Sequence, residues 1–160
     1  DDYVTKPYDT AELLARIRSV LERKSYYEKI SLTDGLTGLR NVHAFKGELE
    51  RLFTVAKRYH RMFSLAIVDI DDFKRINDTY GHETGDLVLK ALAQMIRQNS
   101  RKPDIAIRYG GDEFVVLFPE STAEQAAVAI RRLKSLVSSK QIALPDGRTV
   151  TFSVSVGISM

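Results

Sequence analysis

Between residues 62 and 73 the chain reads Met-Phe-Ser-Leu-Ala-Ile-Val-Asp-Ile-Asp-Asp-Phe, a nearly unbroken apolar run that predicts a strand buried on both faces. It ends in Asp69, Asp71 and Asp72. From 105 to 118 two further apolar, β-prone runs meet at Gly110-Gly111, a pair that tolerates positive φ, so this stretch predicts strand, turn, strand. Asp112 and Glu113 open the second of these strands, which buries Phe114, Val116 and Phe118. Successive strand residues face opposite sides, so the two acids are expected on opposite faces of the sheet. Around these runs the apolar period changes to that of helices. Asn41 can cap a helix carrying Phe45, Leu49, Leu52, Phe53 and Ala56 on one face. Lys74 to Tyr80 predict a short helix closed by Gly81. Asp86 to Gln98 predict a longer one with Val88, Leu92, Met95 and Ile96 inward, and Glu124 to Ser138 repeat the pattern through Ala126, Ile130, Leu133 and Val137. Pro145-Asp146-Gly147 makes a turn. Val150, Phe152, Val154, Val156 and Ile158 then alternate with small polar residues as a strand half open to solvent. The order strand, helix, helix, strand, turn, strand, helix, strand implies an α/β (α+β) sheet with helices packed on it.

The first 24 residues predict a short strand, a break at Lys6-Pro7 and a helix that Asp9 or Thr10 can cap, with Leu13, Leu14, Ile17, Val20 and Leu21 as its stripe. The stripe continues imperfectly through Tyr27 and Ile30 to Leu32. An amphipathic linker helix is the plainest reading, and its exposed stripe invites pairing with a second copy of the chain. Gly35 and Gly38 then force a turn. The chain opens on Asp1 and stops at Met160 directly after a strand, and so reads as a fragment.

Composition narrows the class without naming it. The 160 residues, 44% hydrophobic and 28% charged, suit one globular domain and a little more. There is no cysteine, which excludes disulfides and thiolate metal sites and fits a reducing, cytoplasmic setting. No apolar run reaches the length of a membrane span. A net charge of +3, with a pI of about 9.1, is far from a nucleic-acid-binding footprint.

The acids change the picture. Taken alone, Gly-Gly-Asp reads as a solvated hairpin tip. If the strand ending at Asp69 pairs beside the hairpin, however, Asp69 and Asp112 converge at one sheet edge. Carboxylates that close raise each other's pKa unless a cation neutralises them. Such oxygen ligands suit magnesium, with manganese as the alternative. His43 and His60 read as surface residues outside any metal-ligand spacing.

Gly110-Gly111-Asp112-Glu113-Phe114 spells the signature of the diguanylate cyclase catalytic domain, the GGDEF family, and the resemblance covers about 31 to 160. Asp34-Gly35-Leu36-Thr37-Gly38-Leu39-Arg40-Asn41 resembles that family's opening motif. Asp69-Ile70-Asp71-Asp72-Phe73-Lys74, Asn77-Asp78 and Gly81-His82 to Gly85-Asp86 follow its nucleotide-binding block, and Arg108-Tyr109 precede the turn as they do there. Residues 1–24 resemble the end of a response-regulator receiver domain. On that reading 25–33 is a helical linker and 34–160 the cyclase domain, without the C-terminal helix whose Lys and Arg contact the triphosphate in the family.

The resemblance implies a palm-like sheet similar to nucleotidyl cyclases, and condensation of two GTP into cyclic di-GMP by a homodimer of half-sites. It makes Asp69, Asp112 and the Ile70 carbonyl ligands of a divalent ion. Glu113 would assist deprotonation or hold a second metal, two roles the residues do not separate. Lys74 and the main chain at Asp72 and Phe73 would contact phosphates. Asn77 and Asp86 would recognise guanine, with His82 lining the pocket; helix capping is the plainer role for Asn77 and Asp86. Arg101 and Asp104 stand at the spacing of an inhibitory RxxD site for the product, with Arg108 assigned to the same site. A module that binds GTP or cyclic di-GMP without turnover is the competing reading, and a purely structural output domain of a response regulator is the third.

Overall fold

A computed structural model of the chain describes residues 11, 14–19 and 32–160. Contacts divide it into two units, Asp1–Leu32 and Thr33–Met160. Residues 14–19 of the first are helical. The receiver-domain remnant and the linker expected over 1–33 otherwise lie outside the described residues, save Ala11, which is helical, and Leu32 and Thr33, which are not.

In the second unit the 62–73 run becomes β1 (Phe63–Ile70), a central strand. It pairs antiparallel with β3 (Glu113–Pro119) on one side and β6 (Val154–Ser159) on the other, and β2 (Ile105–Gly110) lies outside β3, giving the order β2-β3-β1-β6. The helices are α1 (Val42–Tyr59), α2 (Phe73–Tyr80), α3 (His82–Asn99) and α4 (Ala123–Ser139). A small hairpin joins β4 (Ile142–Ala143) to β5 (Thr149–Val150). No helix among the described residues is long and apolar enough to cross a membrane.

One sheet face carries the main core. Ala66, Val68 and Ile70 of β1 and Phe114, Val116 and Phe118 of β3 pack with Val88, Leu92 and Ile96 of α3 and Ile130, Leu133 and Val137 of α4. Phe114 is fully buried there, and truncating it to alanine would cost about 3–5 kcal/mol. On the other face α1 lays Leu52, Phe45 and Leu49 over Ile105, Ile107, Val115 and Leu117. Asn41 Oδ1 starts α1 by accepting the N–H groups of His43 and Ala44, and Thr122 with Gln125 forms a capping box at α4.

Several expectations are corrected. β1 is not buried on both faces: α1 lies along β2 and leaves Ile67 49% exposed. Phe53 is 60% exposed and meets Phe63 only edge-on. The last strand is two strands, because the chain changes partner from β4 to β1 between Val150 and Val154 while the apolar alternation runs on unbroken. α3 begins one turn before Asp86, and Asn77 lies inside α2, so neither residue caps a helix. His43 and His60 are exposed, as expected.

Candidate active site

The hairpin between β2 and β3 turns at Gly111 and Asp112, with Gly110 opposite Glu113 and a register shift between Arg108 and Gly110. Gly111 has φ +51°, the left-handed backbone that glycine adopts without a Cβ penalty. Asp112 therefore sits in the turn rather than in the strand, and the expected alternation of Asp112 and Glu113 across the sheet does not apply. Glu113 is the first strand residue and pairs directly with Asp69 of β1. Paired residues of neighbouring strands share a face, so Glu113 and Asp69 are on one side of the sheet.

Asp69 is the electrostatic centre of this edge. Burial pushes its carboxyl above the usual aspartate range, and the charges of Asp112, Glu113 and Asp71 push it the same way. Among the described residues no lysine or arginine pairs with Asp69, Asp112 or Glu113. The repulsion has no counter-charge bonded to it among the described residues. No group of three or more His, Cys, Asp or Glu side chains among the described residues is gathered closely enough to hold a metal by itself. Magnesium does not require one, since it keeps waters and binds through one or two carboxylates together with substrate phosphates. The Asp71 N–H donates to the carbonyl of Ser153, the residue before β6, at 3.0 Å. Alternation along an antiparallel strand then turns the Ile70 carbonyl the other way, toward the Asp112 side.

Beyond β1 the chain enters α2 through Asp72, whose φ of 54° and ψ of 32° are left-handed. That conformation costs a non-glycine residue roughly 1–2 kcal/mol. The Asp72 side chain makes no cap bond and faces Arg75 at 3.5 Å, so the first amides of α2 around Phe73 and Lys74 have no side-chain cap. Lys74 is exposed, and Phe73 is half-buried against the core. Asn77 is wedged between α2 and α3: a Cβ on Gly85 would lie 2.0 Å from its Oδ1. This puts the Asn77 amide one residue from the exposed Asp86, with exposed His82 a turn earlier. Gly85 stands in the block that resembles the nucleotide-binding motif, but no role of its own was assigned to it there. Its signal was a glycine in a helical window, where it is disfavoured unless something approaches closely.

Residues 31–160 match the family model described as diguanylate cyclase, GGDEF domain. The chain belongs to the GGDEF family. It is 35% identical over 170 residues to the response regulator PleD of Caulobacter vibrioides, covering 99% of this chain and 37% of that protein. It is 36% identical over 151 residues to diguanylate cyclase A of Treponema denticola, covering 92% and 40%. The chain thus spans less than half the length of these curated relatives. The crystal structure of the GGDEF domain of DgcB from Caulobacter crescentus in complex with c-di-GMP is similar, with TM-score 0.77 and 38% identity over 80% of this chain and 76% of that one.

Within this GGDEF domain the three residues assigned to inhibition do not stay together. Arg101 and Asp104 share a turn in which the Arg101 N–H donates to Asp104 Oδ2 at 2.7 Å. They line a cavity of about 220 Å³ with Asn99, Gln125 and Arg132. Asp104 Oδ1 is buried there with no partner, and burial holds this carboxyl above its usual range against the opposing N–H and charge of Arg101. Arg108 is at the other end of β2. Its Nε and Nη2 donate to the Gly111 carbonyl at 3.1 and 2.8 Å, and its Nη1 meets Asp34 at 3.3 Å. Alternation along β2 could not show that its partner comes from the opening motif. Asp34 also accepts the Thr37 N–H and hydroxyl, at 2.8 and 2.6 Å.

Proposed function

We propose that this chain is the catalytic part of a diguanylate cyclase, which joins two GTP molecules into cyclic di-GMP in a divalent-metal-dependent reaction. The reading rests above all on Asp69 facing Asp112 and Glu113 with no cation between them among the described residues.

Asp69, Asp112 and the Ile70 carbonyl would hold magnesium or manganese. When bound, the ion supplies charge neutralisation at the triphosphate and makes the attacking hydroxyl easier to deprotonate. Lys74 and the free amides at the start of α2 hold the phosphates. Asp86 accepts from the N1–H and N2–H₂ edge of guanine, the Asn77 amide serves its remaining groups, and His82 borders the base. Glu113 is placed to receive the proton of the 3′-hydroxyl. Each 3′-oxygen forms its bond to the α-phosphorus of the other nucleotide while the bond from that phosphorus to the pyrophosphate oxygen breaks. Two turns of this step release two pyrophosphates. One domain carries one half-site, so two copies must face each other, and positioning supplies most of the acceleration. Such an enzyme draws on cytoplasmic GTP. Arg101 and the unpartnered Asp104 Oδ1 form a receptor for the product, guanidinium to phosphate and carboxylate to a guanine edge.

The test is incubation of the protein with GTP and magnesium, followed by chromatography of the nucleotides. Cyclic di-GMP that disappears in Glu113→Ala supports the reading. GTP binding without any product overturns it in favour of a regulatory binding module.

A further inference from the structure

Three aspartates stand within four residues where β1 ends, and they do different things. Asp69 faces Glu113, and Asp72 faces Arg75. Asp71 is turned toward neither. Its Oδ2 accepts the Ser153 hydroxyl at 2.5 Å, its Oδ1 accepts the Ser155 hydroxyl at 2.6 Å, and its N–H donates to the Ser153 carbonyl. Lys134 of α4 adds a favourable charge. Both carboxylate oxygens are therefore directed at the start of β6, one at Ser155 within it and one at Ser153 just before it, although Asp71 lies only two residues from Asp69. Ser155 pairs directly with Asp69, so the clasp closes immediately beside the acidic edge. Either side of Asp71 in sequence lie the Ile70 carbonyl and the left-handed Asp72 that starts α2. A non-glycine residue keeps that backbone only where its neighbours over-determine it, and the clasp holds the residue immediately before it.

We propose that Asp71 is a positioning residue, fastened to the start of β6 by Ser153 and Ser155, that fixes the β1–α2 corner carrying the Ile70 carbonyl and the phosphate-binding amides. It binds neither metal nor nucleotide. This inference rests on the cyclase reading, and its test has one readout that does not.

In the test, kinetics and amide exchange are measured on Ser153→Ala/Ser155→Ala, on Ser153→Thr/Ser155→Thr and on Asp71→Asn, alone and combined with the double alanine. The double alanine is expected to lower kcat about tenfold or more while KM for GTP stays within about twofold, because the substrate still docks on a misaligned corner. Threonine at both positions restores kcat, which general destabilisation would not predict. Asp71→Asn added to the double alanine changes kcat by less than about twofold, since the three residues act as a unit. The amide protons of Asp71 and Ile76, bonded to the Ser153 and Asp72 carbonyls, exchange at least about tenfold faster in the double alanine.

Full kcat in the double alanine, with Asp71→Asn inactive, would make Asp71 a direct ligand and overturn the proposal. Additive losses, failed rescue by threonine or unchanged exchange would overturn it as well. If the wild-type chain makes no cyclic di-GMP, the cyclase reading fails, and the exchange rates alone decide whether the clasp holds the corner.

Discussion

Two aspartate–arginine pairs flank strand β2, and they are finished to different degrees. At the turn end, Arg108 and Asp34 are 15% and 22% exposed. Every contact there is reciprocated: the guanidinium serves Asp34 and Gly111, and Thr37 fills Asp34 further. At the other end Asp104 has one oxygen bound by a backbone N–H and one buried with nothing to accept, while the Arg101 side chain stands in solvent. A saturated pair holds the chain in one shape. A pair with an orphaned acceptor keeps a bonding capacity unused, and a buried polar atom without a partner is costly. The first pair holds the turn that carries Asp112, and the second borders a cavity.

The widest separation between the two ends should appear in turnover. Asp69→Asn or Asp112→Asn, at the edge the first pair supports, should lower the rate of cyclic di-GMP formation by about 10²–10³-fold or more, read by product chromatography. A loss under tenfold would mean that this edge is not where charge develops. Next comes stability. Arg108→Ala leaves a half-buried carboxylate with only the Thr37 hydroxyl and N–H to hold it, at a cost of about 2 kcal/mol once partial exposure is allowed for, or roughly 4–8 °C in Tm by calorimetry. Asp104→Asn removes an unfavourable buried charge and should leave Tm unchanged or raise it. Equal falls in both would erase the distinction.

How much of this was legible from residues alone follows from what periodicity can carry. The apolar run of β1 ends at Asp69, and Asp69 reaches the hairpin acids only on the condition that this strand pairs beside the hairpin, which the register of Asp69 with Glu113 fulfils; the alternating burial of Ala66, Val68 and Ile70 was not legible in so continuous a run. Periodicity could not place Asp112, since a turn residue with Gly111 beside it obeys no alternation. Nor could it assign Arg108, whose partner is 74 residues away. The alternation through Val150, Phe152 and Val154 concealed a change of partner strand, because both partners bury the same phase of the pattern. Gly85 and Ser153 act through one close approach and one hydroxyl, and neither leaves a period to read.

The third and smaller effect concerns the product inhibition proposed above. Arg101→Ala should raise the concentration of added cyclic di-GMP that halves the rate by at least about tenfold, the scale of one lost charge-assisted contact. Arg108→Ala should not move that concentration beyond the change its weaker fold brings, because its guanidinium is at the far end of β2. If Arg108→Ala relieved inhibition as fully as Arg101→Ala, the two ends would act as one site.

The smallest effect is in pH, where the two aspartates should act with opposite signs. Burial raises the Asp34 pKa, but the Thr37 hydroxyl and N–H and the Arg108 guanidinium outweigh it, and the group ends below its ordinary 3.8. A carboxyl lowered in the fold stabilises it above the unfolded pKa and loses that contribution as pH falls through the folded one. The difference in stability between wild type and Asp34→Asn should therefore be full at neutral pH and shrink only below about pH 4. Asp104 is raised, chiefly by burial. Its folded form takes up a proton before its unfolded form does, so its ionised state weighs against the fold at neutral pH, and that penalty fades as pH falls through its folded pKa. Any advantage of Asp104→Asn over wild type should thus be largest at neutral pH and vanish on acidification. Urea denaturation at closely spaced pH values, run on both variants, gives the two slopes. If they shared a sign, Asp104 would be paired in solution after all, and the open end of β2 would be as closed as the other.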